Sequence, residues 1–184
     1  EAFSDVTIQS PTVGVMLAGL LAVALVFLSA FASGSEIAFF SLSPSDVAEL
    51  EDGKNPSDRK IQMLREDSER TLATILITNN FVNVMIVMLL SNIFVSIVKF
   101  GPKAYWLEFL IMTVFLTFLL LLFGEIMPKV YCRQNPLRFC RRCVDAILFA
   151  RKIFWPIETI LLKSGMLAEK VMKKENHVLS VDEL

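Results

Sequence analysis

Residues 71–98 read TLATILITNNFVNVMIVMLLSNIFVSIV, without one charged side chain. A helix needs about 20 apolar residues to cross a hydrocarbon core roughly 30 Å thick, so this run alone can span a bilayer. Residues 13–35 are also uncharged, and so are residues 109–124. The last stretch reaches full length if it starts near Ala104 and carries Glu108 at the interface, where Tyr105 and Trp106 supply belt aromatics. Composition agrees: 54% of the 184 residues are hydrophobic and only 20% are charged. The expected fold class is an all-α integral membrane domain with three transmembrane helices.

The flanks orient it. The first ten residues hold Glu1 and Asp5 but no Lys or Arg. Between the first two spans lie Lys54, Arg59, Lys60, Arg65 and Arg70, whereas only Lys99 and Lys103 follow the second. After the third come Lys129, Arg133, Arg138, Arg141, Arg142, Arg151 and Lys152. Basic loops stay on the cytoplasmic side, so a multi-pass topology in the inner (plasma) membrane is expected, N-terminus outside and C-terminus cytoplasmic. Residues 13–35 are too long, and lack the basic leading segment, for a cleaved signal peptide.

Ser43-Pro44-Ser45-Asp46 reads as a helix start, with Ser43 capping, Pro44 in the first turn and Asp46 completing a capping box. That helix should end near Asp52-Gly53. Asn55-Pro56 opens another leading to Arg70, so two short cytoplasmic helices join the first and second spans. Gly101-Pro102 marks a tight outer turn. Pro128 lacks an N–H and clashes with the preceding turn, so the third helix should kink or break there. From Leu137 to Lys174 the pattern stays helical, but Arg151 and Lys152 at mid-bilayer would cost roughly 2.5–3.5 kcal/mol each. An amphipathic juxtamembrane helix at the cytoplasmic surface fits better, bent at Trp155-Pro156. The chain thus divides into a tail (1–10), a three-span domain (11–132), a juxtamembrane segment (133–175) and a linker toward further cytoplasmic domains (176–184).

A net charge of -1, with no basic stretch interleaved with stacking aromatics, argues against nucleic acid as a partner. Cys140-Arg141-Arg142-Cys143 has a zinc-like spacing, but a structural site wants four ligands and His177 is the only His. Free thiols in a reducing compartment are expected instead. No nucleophile, base and orienting group stand at usable spacings, so an enzyme is not expected.

Polar clusters interrupt the spans at Ser33-Gly34-Ser35-Glu36, at Thr78-Asn79-Asn80 with Asn83, and at Gly124-Glu125 before Pro128. Asn79 lies nine residues past Arg70, about 13 Å along a helix, and Ser33 lies equally far before Leu42. The clusters can therefore meet at one level of a bundle. Asn79 and Asn83 share a face, and Asn80 points elsewhere. Amide oxygens, a hydroxyl and carbonyls freed by the irregular backbone suit a hard cation such as Mg2+ or Ca2+. Glu36 and Glu125 add negative charge, which a lone membrane helix would avoid. Ser29, Thr113 and Thr117 read as helix–helix glue. The rival reading extends glue to every cluster, in a non-transporting scaffold or Mg2+ sensor.

Three segments carry a family resemblance: Ser33-Gly34-Ser35-Glu36-Ile37-Ala38 with Leu42-Ser43-Pro44, Asn79-Asn80-Phe81-Val82-Asn83, and Gly124-Glu125-Ile126-Met127-Pro128-Lys129. Over about residues 11–175 the chain resembles the transmembrane domain of the CNNM/CorC (cyclin M) magnesium transporter family, bacterial branch. The resemblance implies a homodimer in the lipid bilayer and secondary-active transport, with Mg2+ exported and Na+ entry as the driving force. It points to Ser33, Asn79, Asn83 and a carbonyl at Gly124 as ligands, and to Glu125 as ligand or electrostatic partner. Ser35, Glu36, Asn80 and Thr78 rank lower as pocket residues. Nucleotide enters only through cystathionine-β-synthase-type modules, which this chain lacks.

Overall fold

A computed structural model describes residues 7–99 and 105–181, with side chains placed as far as residue 164. Its main elements are helices: α1 (Val13–Phe40), α2 (Pro44–Glu51), α3 (Asp58–Glu66), α4 (Ser68–Ile97), α5 (Tyr105–Leu119), a π-helical segment (Leu120–Ile126), α6 (Met127–Cys132) and α7 (Pro136–Val181). Val13–Phe40, Ser68–Ile97 and Glu108–Cys132 are long and apolar enough to cross a bilayer. Each presents large apolar side chains outward, among them Phe27, Phe81, Phe109 and Phe118. In lipid such a surface needs no cover, whereas every backbone polar group must find its partner inside the chain.

The helix ends follow local chemistry. Thr12 caps α1, its hydroxyl accepting from the Val15 N–H. Ser43 and Asp46 form the reciprocal capping box, and Gly53 takes the left-handed conformation (φ 61°) that ends the α2 turn. The chain breaks once more at Asp67, so α3 stops at Glu66 and the second span begins at Ser68. The Gly101–Pro102 turn lies outside the described residues. The N-terminal tail is not wholly free, since Thr7–Ile8 pairs antiparallel with Val98–Lys99, tying it to the end of α4.

Pro128 and Pro156 both fall within continuous helical runs. Pro128 neither breaks nor sharply ends the third span. The turn ahead of it widens to π geometry and the helix resumes as α6. Pro156 lies inside α7, which runs on through it.

The densest packing lies at the end where α2, α3 and the start of α7 gather, around Ala38, Phe39, Leu50, Ile61, Leu64, Ile75, Cys140, Val144 and Ile147. Cys132, Cys140 and Cys143 are free thiols buried here. Several features fasten α7 to the first span and to the short helices. Gly34 lets α1 approach closely: a Cβ added there would stand 2.5 Å from Cys132 Sγ and 3.3 Å from the Phe139 ring. The Phe31 and Phe139 rings pack at 5.5 Å. Arg141 of α7 donates from Nε to Asp58 at 2.8 Å and from Nη1 to Glu49 at 2.8 Å. Asp145 pairs with Lys60, and Arg151 with Asp67.

Candidate cation site

Midway along the bundle the faces of α1, α4 and the π segment meet. Ser29 and Ser33 stand one turn apart on α1, and Asn79 and Asn83 one turn apart on α4. The Ser29 hydroxyl lies 3.0 Å from Asn79 Oδ1 and 2.6 Å from Asn83 Oδ1. A hydroxyl has one hydrogen to give. Three oxygens therefore converge on a single proton, leaving lone pairs without donors. Ser33 Oγ, fully buried, has no hydrogen-bond partner. Buried polar groups are nearly always bonded, so such an orphan calls for an explanation, and an ion is one.

Gly124 closes the cluster from the third span. A Cβ there would lie 3.1 Å from Ser29 Oγ and 3.9 Å from Asn83 Oδ1, so the absence of a side chain lets the backbone reach these oxygens. The π register adds a second effect. The Met127 N–H turns to the Leu122 carbonyl, five residues back, and Pro128 has no N–H to give. In a continuous α-helix those two residues would serve the carbonyls of Phe123 and Gly124, so neither carbonyl has its usual α-helical donor here. π-turns inside α-helices are rare and concentrate at functional sites.

The remaining sequence candidates disperse. Glu125 follows Gly124 in the π segment, half-buried, with no hydrogen bond or ion pair among the described residues. Glu36 is drawn off into an ion pair with Lys129 at 3.0 Å. Ser35 and Thr78 bond back to their own helices, at the Phe31 and Thr74 carbonyls. Asn80 is exposed on the far side of α4. No three His, Cys, Asp or Glu side chains gather into a metal-sized group among the described residues. The cluster is built from neutral oxygens, the donor type that Mg2+ and Ca2+ take.

Two residues escaped the sequence reading. Ser29, taken there as glue, lies at the centre of the oxygen cluster, and its four-residue spacing from Ser33 was the available signal. Glu158 of α7 is fully buried, with Oε1 accepting from Thr74 Oγ1 at 2.6 Å and Oε2 unpartnered. An acid within the buried stripe of an amphipathic helix is visible in sequence, but its partner 84 positions away is not.

Comparison with known proteins gives a consistent family. The family model described as the cyclin M transmembrane N-terminal domain matches residues 20–184. The chain is 30% identical over 154 residues to the "Metal transporter cnnm-4" of Caenorhabditis elegans, covering 81% of this chain and 31% of that protein. It is 30% identical over 161 residues to a "UPF0053 protein" of Haemophilus influenzae, covering 85% and 37%. A putative chloroplastic DUF21 domain-containing protein of Arabidopsis thaliana is 32% identical over 154 residues, covering 84% and 22%. The chain thus spans well under half the length of these relatives. With three polar segments on three spans in this arrangement, and a family model matched over nearly the whole sequence, the chain belongs to the cyclin M transmembrane domain family.

Proposed function

We propose that this chain is the membrane domain of a secondary-active divalent cation transporter that takes Mg2+ as its substrate. The observation carrying the proposal is the convergence of Ser29, Asn79 and Asn83 oxygens over one hydrogen, beside the unpartnered Ser33 hydroxyl and the close-lying Gly124 backbone. A metal transporter among the relatives supports the same class. An incoming cation would be met by the Ser29 and Ser33 hydroxyls, the Asn79 and Asn83 amide oxygens and the Gly124 carbonyl. Ser29 would turn its hydrogen outward to free both amides. Glu125 supplies negative charge nearby. Mg2+ gives up water reluctantly and wants near-octahedral geometry, so a compact set of neutral oxygens at membrane depth suits a site that must also release its ion.

The fuller reading places the basic end of the bundle in the cytoplasm of the plasma membrane, with export of Mg2+ driven by Na+ entry. A homodimer supplies the functional unit. The exposed α4 strip at Asn80, Val84, Val87 and Met88 offers a surface for the second copy. Nucleotide control would reside in modules beyond this chain.

The glue reading draws on the 2.6 Å Ser29–Asn83 bond, which already joins two spans. Binding decides between them. Isothermal titration in detergent and Mg2+ flux in liposomes are expected to show Asn79→Ala and Asn83→Ala each weakening Mg2+ by about tenfold or more, roughly 1.4 kcal/mol, while the variants remain folded. Parental flux in both variants would sink the site assignment. Thermal stability indifferent to Mg2+ in the parent would favour the scaffold.

Gly124→Ala gives a second test. Its methyl group would enter at 3.1 Å from Ser29 Oγ, tighter than ordinary contact. It is expected to weaken Mg2+ several-fold while shifting the Mg2+-free melting temperature by no more than a few degrees. Unchanged Mg2+ affinity would remove the third span from the site.

A further inference from the structure

We infer that Arg138 and Arg142 form a headgroup site for an anionic phospholipid at the end of the third span. The basic residues after Met127 meet different fates. Lys129 is paired with Glu36, Arg141 with Asp58 and Glu49, and Arg151 with Asp67. Arg133, Lys152, Lys163, Arg138 and Arg142 are exposed and have no ion pair among the described residues, and the last two line one depression. Those two stand four apart on α7, so their guanidinium groups issue from one face. Between that face and the end of α6 lies a depression of about 310 Å³, lined by Tyr131, Gln134, Asn135, Arg138, Phe139 and Arg142, with Cys132 at its floor. None of these residues is acidic.

Position identifies the occupant. The depression opens where the third span ends, and the side chains above it on that span are apolar and outward: Ile126, Met127 and Val130 are all more than half exposed. Tyr131, 70% exposed, sits at the boundary in the manner of an interfacial aromatic. A ligand with apolar chains on that stripe and a phosphate at its foot matches the whole surface. The guanidinium fork binds phosphate oxygens in pairs, and the Gln134 and Asn135 amides add donors. Two cations with no counter-charge favour a head with net negative charge over a zwitterionic one. The inference is independent of the cation site.

The test uses the purified chain in neutral detergent, titrated with phosphatidylglycerol or phosphatidylcholine. Native mass spectrometry reads bound lipid and tryptophan fluorescence reads melting. Phosphatidylglycerol is expected to persist as an adduct and raise the melting temperature by several degrees, and phosphatidylcholine is not. Arg138→Gln with Arg142→Gln is expected to weaken phosphatidylglycerol by tenfold or more. Lys152→Gln, an exposed and unpaired cation elsewhere on α7, is expected to leave it unchanged. The proposal is overturned if the double variant binds like the parent, or if Lys152→Gln loses as much. Glycerol phosphate reproducing the melting shift at equal concentration would make this a soluble-anion site and overturn the lipid assignment. Should the double Gln variant fail to fold, the double Lys variant keeps the charge but not the fork. It is expected to bind phosphatidylglycerol measurably less than the parent, and parental affinity there would count against the fork.

Discussion

Arg141→Ala is expected to lower the stability of the folded chain by about 3–5 kcal/mol, the range measured when one member of a buried ion pair is removed. Asp58 is fully buried, and Arg141 reaches both its oxygens, from Nε at 2.8 Å and Nη2 at 3.2 Å. Without the guanidinium the carboxylate keeps only the Asn55 N–H. It would be stranded between α3 and α7. Arg141→Lys should recover little, because an ammonium cannot span two oxygens in a plane. Acid sensitivity is the second readout. The hydrogen bond from Arg141 holds the Asp58 carboxyl below the usual carboxylate value, and burial opposes this more weakly. A lowered folded-state value gives stability that is complete above the ordinary carboxylate range and disappears as pH falls through the folded value. The parent should therefore lose a step of thermal stability below about pH 4. The Ala variant should lack that step and be less stable at neutral pH. Equal melting temperatures for variant and parent at pH 7 would remove the pair from the list of things holding α7 in place.

Gly34→Ala is expected to cost about 1–3 kcal/mol, the usual range for overpacking a tight core. The added carbon would stand 2.5 Å from Cys132 Sγ and 3.3 Å from the Phe139 ring, so the Cys132 side chain or the helix that carries it must shift. The damage should be reversible. Cys132→Ala removes the sulfur, and the pair Gly34→Ala with Cys132→Ala is expected to melt nearer the parent than Gly34→Ala alone. Strict additivity in this double-mutant cycle would mean that the two positions do not touch. The effect should extend to Mg2+ affinity, because Gly34 follows Ser33 directly on α1.

Much of this architecture was legible because it depends on local rules. Uncharged length gave the three spans, and Ser43 with Asp46 gave the start of α2. The amphipathic pattern after Leu137 gave α7. The polar residues of the site were visible as types and depths. What could not be read was which partner each would choose. Glu36 and Glu125 were equivalent as acids within spans, yet Lys129 draws Glu36 away while Glu125 keeps no partner among the described residues. Ser29 looked like any serine in a membrane helix until two amides from α4 converged on it. Pro128 announces a disturbance but not its form. The missing N–H is accommodated here by a widened turn ahead of it. Pro156 shows the same limit, since a long helix can carry a proline at the loss of one backbone bond.

The widened turn at Leu120–Ile126 is also a statement about chain length. A π turn holds about one residue more than the α turn it replaces. Deleting a single residue between Leu120 and Gly124 would let the turn close to α geometry while everything beyond it keeps its facing. Lys129 would stay beside Glu36 and Cys132 at the notch by Gly34. The change would fall on the widened turn itself, which carries Gly124 to the serine and asparagine oxygens. Among homologues, a one-residue gap at this place therefore carries more functional information than many substitutions around it.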